Sequence, residues 1–175
     1  MIKLIVGLGN PGLQYEKTRH NVGFLFLREL AGSSWLEESR FQGLLSEYKS
    51  ANRSVKLLMP QTFMNLSGQS VGKVCRYYKI LPQEILVVHD ELDFGLGVVK
   101  LKKDGGHAGH NGLKDIIAHL SSKEFYRLRI GIGRPPTGSD VANYVLSNPS
   151  KKEQELIETV FAEAKTLVDK LLLED

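Results

Sequence analysis

Cysteine is almost absent from this sequence of 175 residues, in which Cys75 is the single example. A disulfide within the chain is therefore excluded, and a metal site made of several cysteines is excluded with it. Cys75 shares one face of a predicted helix with Val71, Val74 and Tyr78. This position predicts a buried thiol rather than a nucleophile.

Long apolar runs are missing as well. No stretch approaches the roughly 18 residues of a membrane span, and the first apolar run, residues 2 to 6, is much shorter than the core of a signal peptide. We therefore expect no membrane anchor and a cytoplasmic location. The content of 42% hydrophobic and 25% charged residues is ordinary for a globular protein, and the length fits a single catalytic domain, residues 1 to 175.

The net charge of +3 is small but unevenly distributed. Residues 98 to 134 contain eight Lys or Arg against three Asp or Glu, a local charge of +5, so the remainder of the chain sums to −2. A local basic concentration suits a polyanionic partner, whereas solvated charge on an ordinary surface is the alternative interpretation.

Short β-branched runs alternate with helical patterns, which predicts an α/β fold. The predicted strands are residues 3–6, 44–49, 55–59, 84–89, 98–102 and 127–132. The predicted helices are residues 21–31, 67–79, 111–120 and a long final helix near 150–172. The first strand and the one near 85–88 are apolar without alternation and are expected at the centre of the sheet. A hairpin around residues 50–53 predicts a twisted mixed sheet flanked by helices, a single-domain three-layer sandwich.

The segment Gly7-Leu8-Gly9-Asn10-Pro11-Gly12 matches the G-x-G-x-x-G pattern of a dinucleotide-binding loop. In such a loop the helix begins within the motif, and an acidic residue ends a second strand about 20 residues later. Here Pro11 removes an amide donor, and residues 22–31 follow as a helix rather than a strand. We therefore expect no nucleotide. The glycines are expected to let the chain turn sharply and to present Asn10.

Two further motifs have alternative explanations. The segment Gly68-Gln69-Ser70-Val71-Gly72 fits G-x-S-x-G, and Asp90 and His110 follow in the chain order of an α/β-hydrolase triad. A nucleophile elbow needs a strand that leads directly into the serine, whereas Pro60 stops the preceding strand, so Ser70 is expected within a helix. The spacing His107-x-x-His110, with His89 nearby, could indicate a metal site, but a glycine-rich loop fixes ligands poorly. We expect neither metal nor cofactor.

Polar side chains follow three of the predicted strands. Asn10 follows the strand ending at Val6, Asn65 the one ending at Met59, and Asp90 the one ending at Val88. The binding cleft of an open α/β sheet lies beyond the carboxyl ends of its strands, so these groups converge if the three strands are parallel. Two loops, which carry His20 and His110-Asn111, are expected to close over them.

The chemistry of this set is that of water activation. The ordinary pKa of histidine, about 6.5, allows His20 to accept a proton from water, and Asp90 can fix its tautomer and stabilise its cation. Asparagine amides are neutral donors for the oxyanion that forms when water attacks an acyl carbon; the candidates are Asn10, Asn65 and Asn111. Because no credible nucleophilic side chain belongs to the set, we predict direct hydrolysis of an activated acyl bond such as an ester.

Five blocks of this sequence resemble the bacterial-type peptidyl-tRNA hydrolase family. They are IVGLGNPGLQYEKTRHNVGF, PQTFMNLSG, VVHDELD, GGHAGHNGLKDI and RLRIGIGRP, in this order along residues 2 to about 147. The resemblance implies a monomeric, metal-independent, single-domain α/β enzyme with no obligate protein partner. Its implied substrate is peptidyl-tRNA, in which an ester joins the peptide to the terminal ribose of tRNA.

The resemblance also implies roles for individual residues. His20 is the implied base and Asp90 its partner, while Asn10, Asn65 and Asn111 position substrate and water. Further implied substrate-binding residues are Tyr15, Met64 and His110. Lys100 and Lys102, two apart on a strand, point to one face, as do Arg127 and Arg129, so each pair is expected to meet successive phosphates. Among these four, the resemblance favours Lys100, Lys102 and Arg129 as contacts to the 5′-terminal phosphate region of tRNA.

Two other functions stay open on the sequence alone. A scaffold of this kind can keep a basic face without catalysis and serve as an RNA-binding module, although His20, Asp90 and the three asparagines are all intact. A serine esterase that acts through Ser70 is the second alternative.

Overall fold

A computed structural model of the chain describes residues 1–50 and 52–174. The strands are β1 (Leu4–Gly7), β2 (Leu36–Glu38), β3 (Gly43–Ser50), β4 (Arg53–Pro60), β5 (Ile85–Glu91), β6 (Val99–Lys103) and β7 (Tyr126–Gly131). The helices are α1 (Val22–Ala31), α2 (Ser67–Tyr78), α3 (Asn111–Leu120), α4 (Val141–Val145), α5 (Lys151–Thr159) and α6 (Phe161–Leu173). The short strand β2 has no counterpart in the sequence prediction, because its three residues are partly exposed and form no apolar run.

The strands form one mixed sheet in the order β2-β3-β4-β1-β5-β7-β6. Strand β1 pairs in parallel with β4 and β5, and β5 pairs in parallel with β7, while β2, β3 and β6 pair antiparallel with their neighbours. The apolar strands β1 and β5 lie at the centre, which confirms the prediction. Because β4, β1, β5 and β7 are parallel, their carboxyl ends meet at one edge of the sheet.

Helices cover both faces of this sheet. One buried cluster joins alternate sheet residues such as Ile5 and Leu86 to Phe26 of α1 and Val168 of α6. The opposite cluster joins the intervening sheet residues to α2 and α3, for example at Cys75. Both faces are therefore apolar, which explains the absence of alternation in β1 and β5 and confirms the three-layer, single-domain α/β sandwich.

Glycines at the end of β1 allow helix α1 to pack directly on the strand. A Cβ at Gly7 would lie 2.6 Å from the carbonyl oxygen of Gly23, and a Cβ at Gly9 would lie 2.7 Å from the ring of Phe24. Gly12, by contrast, has a φ of 109° and makes the turn. The expected sharp turn therefore belongs to Gly12, whereas Gly7 and Gly9 serve close approach.

The predicted long final helix is wrong, because α5 ends at Thr159 and α6 begins at Phe161, so the helix is interrupted at Val160. The hydroxyl of Thr159 donates to the carbonyl of Leu156 at 2.6 Å, and this carbonyl would otherwise accept from the amide of Val160. That amide is instead 3.4 Å from the carbonyl of Ile157. A threonine hydroxyl that takes a carbonyl of the preceding turn competes with the helical hydrogen bond to that carbonyl, and here the helix is interrupted.

Three smaller expectations can be compared with the structure. β3 and β4 form the expected hairpin with Ser50 opposite Arg53, while Ala51 lies outside the described residues. Cys75 is buried, and burial raises the pKa of its thiol to about 12. No helix in the described part of the chain combines the length and apolar character needed to span a bilayer.

Candidate active site

The loops that leave the parallel strands are tied together at the carboxyl edge of the sheet. The side-chain oxygen of Asn10, after β1, accepts the amide of Met64, after β4, at 2.6 Å. The amide of Asn10 donates to Oδ1 of Asn21 at 2.8 Å, and Nδ2 of Asn21 donates back to the carbonyl of Asn10 at 2.9 Å. The connection between β1 and α1 and the loop after β4 are therefore held in one arrangement by buried hydrogen bonds.

Asp90 lies in this edge, in β5, and its carboxylate contacts two histidines. Nδ1 of His20 is 2.9 Å from Oδ2 and 3.0 Å from Oδ1, and Nε2 of His110 is 2.7 Å from Oδ1. Only 3% of the Asp90 side chain is exposed, against 12% for His20 and 10% for His110. We call these three residues the Asp90 cluster. The predicted proximity of His20 and Asp90 is confirmed, whereas the contact of His110 with Asp90 was not foreseen.

Helix α3 fixes the tautomer of His110. Nδ1 of this N-cap residue accepts the amides of Gly112 and Leu113, at 3.1 and 3.3 Å, so it carries no proton. The proton of the neutral ring is therefore on Nε2, which donates it to Asp90. The carboxylate also accepts Nδ1–H of His20, and the lone pair of Nε2 of His20 is left free to act as a base.

Charge and burial oppose each other in the Asp90 cluster. Burial by itself lowers the pKa of His20, but the negative charge of Asp90 and its hydrogen bond outweigh burial and raise that pKa above its ordinary value. Burial alone would raise the pKa of Asp90, whereas His20 and His110 together hold it below its usual range. Asp90 is thus a carboxylate at neutral pH, and it increases the basicity of His20.

A third histidine, His89, lies beneath the cluster and is buried. Its Nδ1 donates to the backbone carbonyl of Asp90 at 2.8 Å, and its ring packs against that of His110 with centroids 5.1 Å apart. Burial, and next the neighbouring His110, lower the pKa of His89 to about 3. It is therefore a neutral supporting group at physiological pH.

The asparagines differ in how they are held. The side-chain oxygen of Asn10 accepts the amide of Met64, which fixes the orientation of the side chain. The NH₂ group of Asn10 has no hydrogen-bond partner among the described residues and is available as a donor. The side chains of Asn65, beside Met64, and Asn111, the first residue of α3, are exposed. Met64 is buried against the start of α3, where a Cβ at Gly112 would lie 2.6 Å from its sulfur.

Tyr15 is half-buried and contacts the exposed ring of Phe63 edge to face, with centroids 6.3 Å apart. Phe63 directly precedes Met64, so this pair extends the surface formed by the loop after β4. An exposed aromatic side chain beside polar donors provides apolar area for a bound group.

A cleft of about 500 Å³ extends from the Asp90 cluster towards β6 and β7. His20, Asp90, His110 and Asn111 line one end of it, and Lys102 and Arg129 line the other. Register places Lys100 opposite Arg129 and Lys102 opposite Arg127, so all four side chains share one face of the sheet. The predicted common face within each pair is confirmed, whereas the common face of the two pairs was not predicted.

Arg127 departs from the prediction that both arginines meet phosphates. It is 2% exposed, and its guanidinium donates to the carbonyls of Gly105, Gly106 and Lys123. Those contacts anchor the glycine-rich loop and leave Arg127 unavailable to a ligand. Lys100 and Lys102 are exposed, and Lys100 and Arg129 lie over the Phe94 ring at 5.0 and 4.7 Å. We call Lys100, Lys102 and Arg129 the cationic rim.

The structure around the G-x-S-x-G and H-x-x-H motifs argues against a serine nucleophile at the first and a metal site at the second. Ser70 is fully buried within α2, and its hydroxyl has no partner in the described part of the chain, so it is not a nucleophile poised by a histidine. The H-x-x-H spacing does not form a ligand set, because Nδ1 of His107 accepts the amide of Gly109.

The ligand atoms of the Asp90 cluster lie within 4.8 Å of one another and could also surround a metal ion. Their separations of 2.7 to 3.0 Å are those of N–H···O hydrogen bonds, and the N-cap contacts of His110 assign the proton needed for one of them. Hydrogen bonding therefore accounts for the arrangement.

Sequence reasoning missed two neighbours of His20. Asn21 bridges to the Asn10 loop, and Arg19 is buried against residues 144 to 153. Both are adjacent to His20 in the stretch T-R-H-N. The signal that could have found them is the polar character of three successive residues at the start of a helix that is otherwise apolar.

A histidine held by a carboxylate at the carboxyl edge of a parallel α/β sheet, beside a cleft, is an arrangement suited to acid–base chemistry in an enzyme. The sequence profile of the peptidyl-tRNA hydrolase family matches residues 4–175. The chain belongs to the peptidyl-tRNA hydrolase family and is a hydrolase.

Individual relatives agree with this assignment. The chain is 54% identical to a peptidyl-tRNA hydrolase of Actinobacillus pleuropneumoniae, with 99% of this chain and 91% of the relative covered. It is 51% identical to the peptidyl-tRNA hydrolase of Dichelobacter nodosus, with coverage of 99% and 94%. A crystal structure of peptidyl-tRNA hydrolase from Acinetobacter baumannii superposes with a TM-score of 0.88 at 43% identity, over 98% of this chain and 90% of that one.

Proposed function

We propose that this protein hydrolyses the ester between peptide and tRNA by direct attack of a water molecule that His20 activates. The observation that carries the proposal is the hydrogen bond from Nδ1 of His20 to Asp90, which leaves Nε2 unprotonated in the neutral ring. Nε2 takes a proton from water while the water oxygen bonds to the ester carbon. The oxyanion then collapses, the ribose oxygen leaves with that proton, and the peptide carboxylic acid is released.

Asparagine amides are proposed to stabilise the oxyanion. The NH₂ group of Asn10 is the strongest candidate, because its partner oxygen is fixed by the amide of Met64. Asn65 and Asn111 supply the other two donors. A fixed neutral donor at the oxyanion contributes roughly 10²- to 10³-fold in rate.

The remaining predicted residues are proposed to bind the substrate on either side of the reacting ester. Tyr15, Met64 and His110 contact the peptide and ribose ends, with His110 also holding Asp90. The cationic rim binds phosphates near the 5′ terminus of tRNA. Phosphate contacts position a nucleic acid without reading its sequence, which suits an enzyme that accepts many tRNAs.

The water mechanism needs no covalent intermediate. Within the described residues, no serine, threonine or cysteine donates a hydrogen bond to His20; Ser70 and Cys75 are buried in α2. We further propose that residues 1 to 175 act as one catalytic domain, as a monomer in the cytoplasm, without metal, cofactor or obligate protein partner.

The test is single-turnover cleavage of N-acetyl-aminoacyl-tRNA by the purified protein. Replacement His20→Ala is expected to lower the cleavage rate by at least about 10²-fold, because a general base contributes about 10²- to 10⁴-fold. Binding of the tRNA is expected to survive, since the cationic rim is untouched.

The matched control is Ser70→Ala, which removes only a buried hydroxyl and should leave the rate unchanged. Acid-quenched samples are expected to contain no acylated protein by mass spectrometry. Unchanged cleavage by the His20 variant, or loss of cleavage together with a trapped acyl-enzyme at Ser70, would refute the water mechanism.

A further inference from the structure

Arg19, directly before His20, is buried against a separate part of the chain. Only 8% of the residue is exposed. Its Nη1 donates to the hydroxyl of Ser147 at 2.6 Å and lies 3.2 Å from the carbonyl of Tyr144. Its Nη2 is 3.5 Å from Glu153, and its guanidinium stacks 4.1 Å from the centroid of the Tyr144 ring.

The backbone of Arg19 is fixed to the same segment. Its amide donates to the carbonyl of Ser147 at 3.1 Å, so both the main chain and the side chain hold residues 144 to 147. The hydroxyl of Tyr144 in turn donates to the carbonyl of Ile132, just beyond β7, at 2.6 Å. Arg19 therefore connects the turn that carries His20 to the end of β7 through α4.

Helix α4 is a wall of the catalytic cleft. Val141, Ala142 and Val145 line the cleft together with His20. This helix has only five residues and is mostly exposed, so its own packing fixes it weakly. The contacts that Arg19 makes with residues 144 to 147 therefore hold α4 in place.

We propose that Arg19 is a positioning residue, which sets the orientation of the His20 imidazole and the distance of the α4 wall from it. Asn21 holds the other side of His20 through its two bonds to the Asn10 loop. His20 thus lies between two anchored neighbours. This inference rests on the proposed role of His20 and adds a residue that touches neither water nor ester.

The geometry of a guanidinium is essential to this role. Arg19 makes several directed bonds in one plane and stacks on an aromatic ring, whereas a lysine ammonium offers a single charged point. We expect Arg19→Lys to lower kcat about 10- to 100-fold with KM changed less than about threefold, because a displacement of about 1 Å in a catalytic group can cost about 10²-fold.

The experiment measures kcat and KM for N-acetyl-aminoacyl-tRNA, the melting temperature, and the imidazole ¹⁵N NMR signals of His20 in Arg19→Lys. The matched control is Arg53→Lys, because Arg53 also donates to carbonyls of distant segments, at Ile2 and Leu172. Both variants should lose thermal stability. Only Arg19→Lys should lose kcat and shift the His20 signals.

A second variant guards against a failure of Arg19→Lys to fold. Ser147→Ala removes the hydroxyl at 2.6 Å from Arg19 on an exposed residue, and it is expected to shift the His20 signals and kcat in the same direction by a smaller amount. Unchanged kcat and His20 signals in the folded variants, with a stability loss like that of Arg53→Lys, would overturn the inference.

The NMR measurement needs no substrate and separates the two proposals. If His20→Ala keeps full cleavage activity, the proposed role of His20 fails, while a shifted His20 spectrum in Arg19→Lys still supports positioning. If His20→Ala is inactive and the Arg19 variants match wild type in both readouts, only the positioning proposal fails.

Discussion

The two ends of the cleft are built on opposite physical principles. At one end, the side chains of the Asp90 cluster are at most 12% exposed and joined by hydrogen bonds of 2.7 to 3.0 Å. At the other end, Lys102 is exposed, as is Lys100 beside it, and the guanidinium of Arg129 is 3.9 Å from Glu91. The first end depends on geometry, and the second depends on charge.

This difference determines what disturbs each end. Buried ionisable groups respond to protons, because burial and fixed partners change their pKa values. Exposed charges respond to salt, because a screening length of about 8 to 10 Å weakens their attraction for phosphates. We therefore expect chemistry to depend on pH and tRNA affinity to depend on ionic strength, and the predictions below test that separation.

The largest effect is expected for Asp90→Asn. Asparagine removes the negative charge and replaces one carboxylate oxygen by an NH₂ group, which then faces the N–H of His20 or His110 at the place of a contact of 2.9 or 2.7 Å. Because a donor then faces a donor, that ring must turn or change tautomer. We expect kcat to fall by about 10²- to 10⁴-fold, by analogy with the loss of the orienting carboxylate in serine proteases. Binding of tRNA should change little, because the cationic rim is intact.

The pH profile of the same variant gives an independent reading. His20 must be neutral to accept a proton, so kcat/KM in the wild type rises with pH through the elevated pKa of His20. Without the negative charge at position 90, the acid limb should move to lower pH. Asp169→Asn is the matched control, since Asp169 of α6 also accepts two hydrogen bonds, from Tyr48 and Ser50. An unmoved limb would mean that His20 is not the group that titrates.

The sequence predicted the central strands and the polar residues at the carboxyl edge of the sheet, because both follow from general rules. Unbroken apolar runs identified β1 and β5 as central strands, and parallel pairing then brought His20 and Asp90 to one edge. The face shared by Lys100 and Lys102, and the face shared by Arg127 and Arg129, followed from the two-residue period of a strand. Each of these inferences needs only residue type and spacing.

The sequence did not predict features that depend on one specific bond. The interruption of the helix at Val160 arises because the hydroxyl of Thr159 takes one carbonyl, and the burial of Arg127 arises because a glycine-rich loop places its carbonyls around it. The contact of His110 with Asp90 requires the N-cap geometry of α3. Such bonds are set by the local path of the backbone, which no periodicity encodes.

The next largest effect is expected on the free energy of unfolding. It concerns His89, at the buried end of the cleft, and not the cationic rim. His89 is neutral in the folded protein down to a pKa of about 3, whereas in the unfolded chain it takes a proton near its ordinary value of 6.5. Between these values the unfolded state binds one more proton, so stability falls as the pH falls. Replacement His89→Asn should flatten the dependence of the unfolding free energy on pH by about 1.4 kcal/mol per unit.

The measurement is urea unfolding of wild type and variant at several pH values between about 4.5 and 6. Only the slopes are compared, because the substitution also changes packing. His119→Asn, at a solvent-facing position of α3, is the control. Parallel slopes for His89→Asn and wild type would show that His89 is not held neutral by burial.

The smallest effect is expected at the cationic rim, where single charges act additively. Lys100→Gln should weaken tRNA binding roughly 3- to 10-fold at moderate salt and leave kcat unchanged, because one released counterion changes the slope of log affinity against log salt by about 0.7 to 0.9. Filter binding across a salt series measures the slope for wild type, Lys100→Gln and the control Lys165→Gln, an exposed lysine of α6. A slope equal to that of wild type would place tRNA elsewhere, and a loss of kcat would show that the rim also orders the Asp90 cluster.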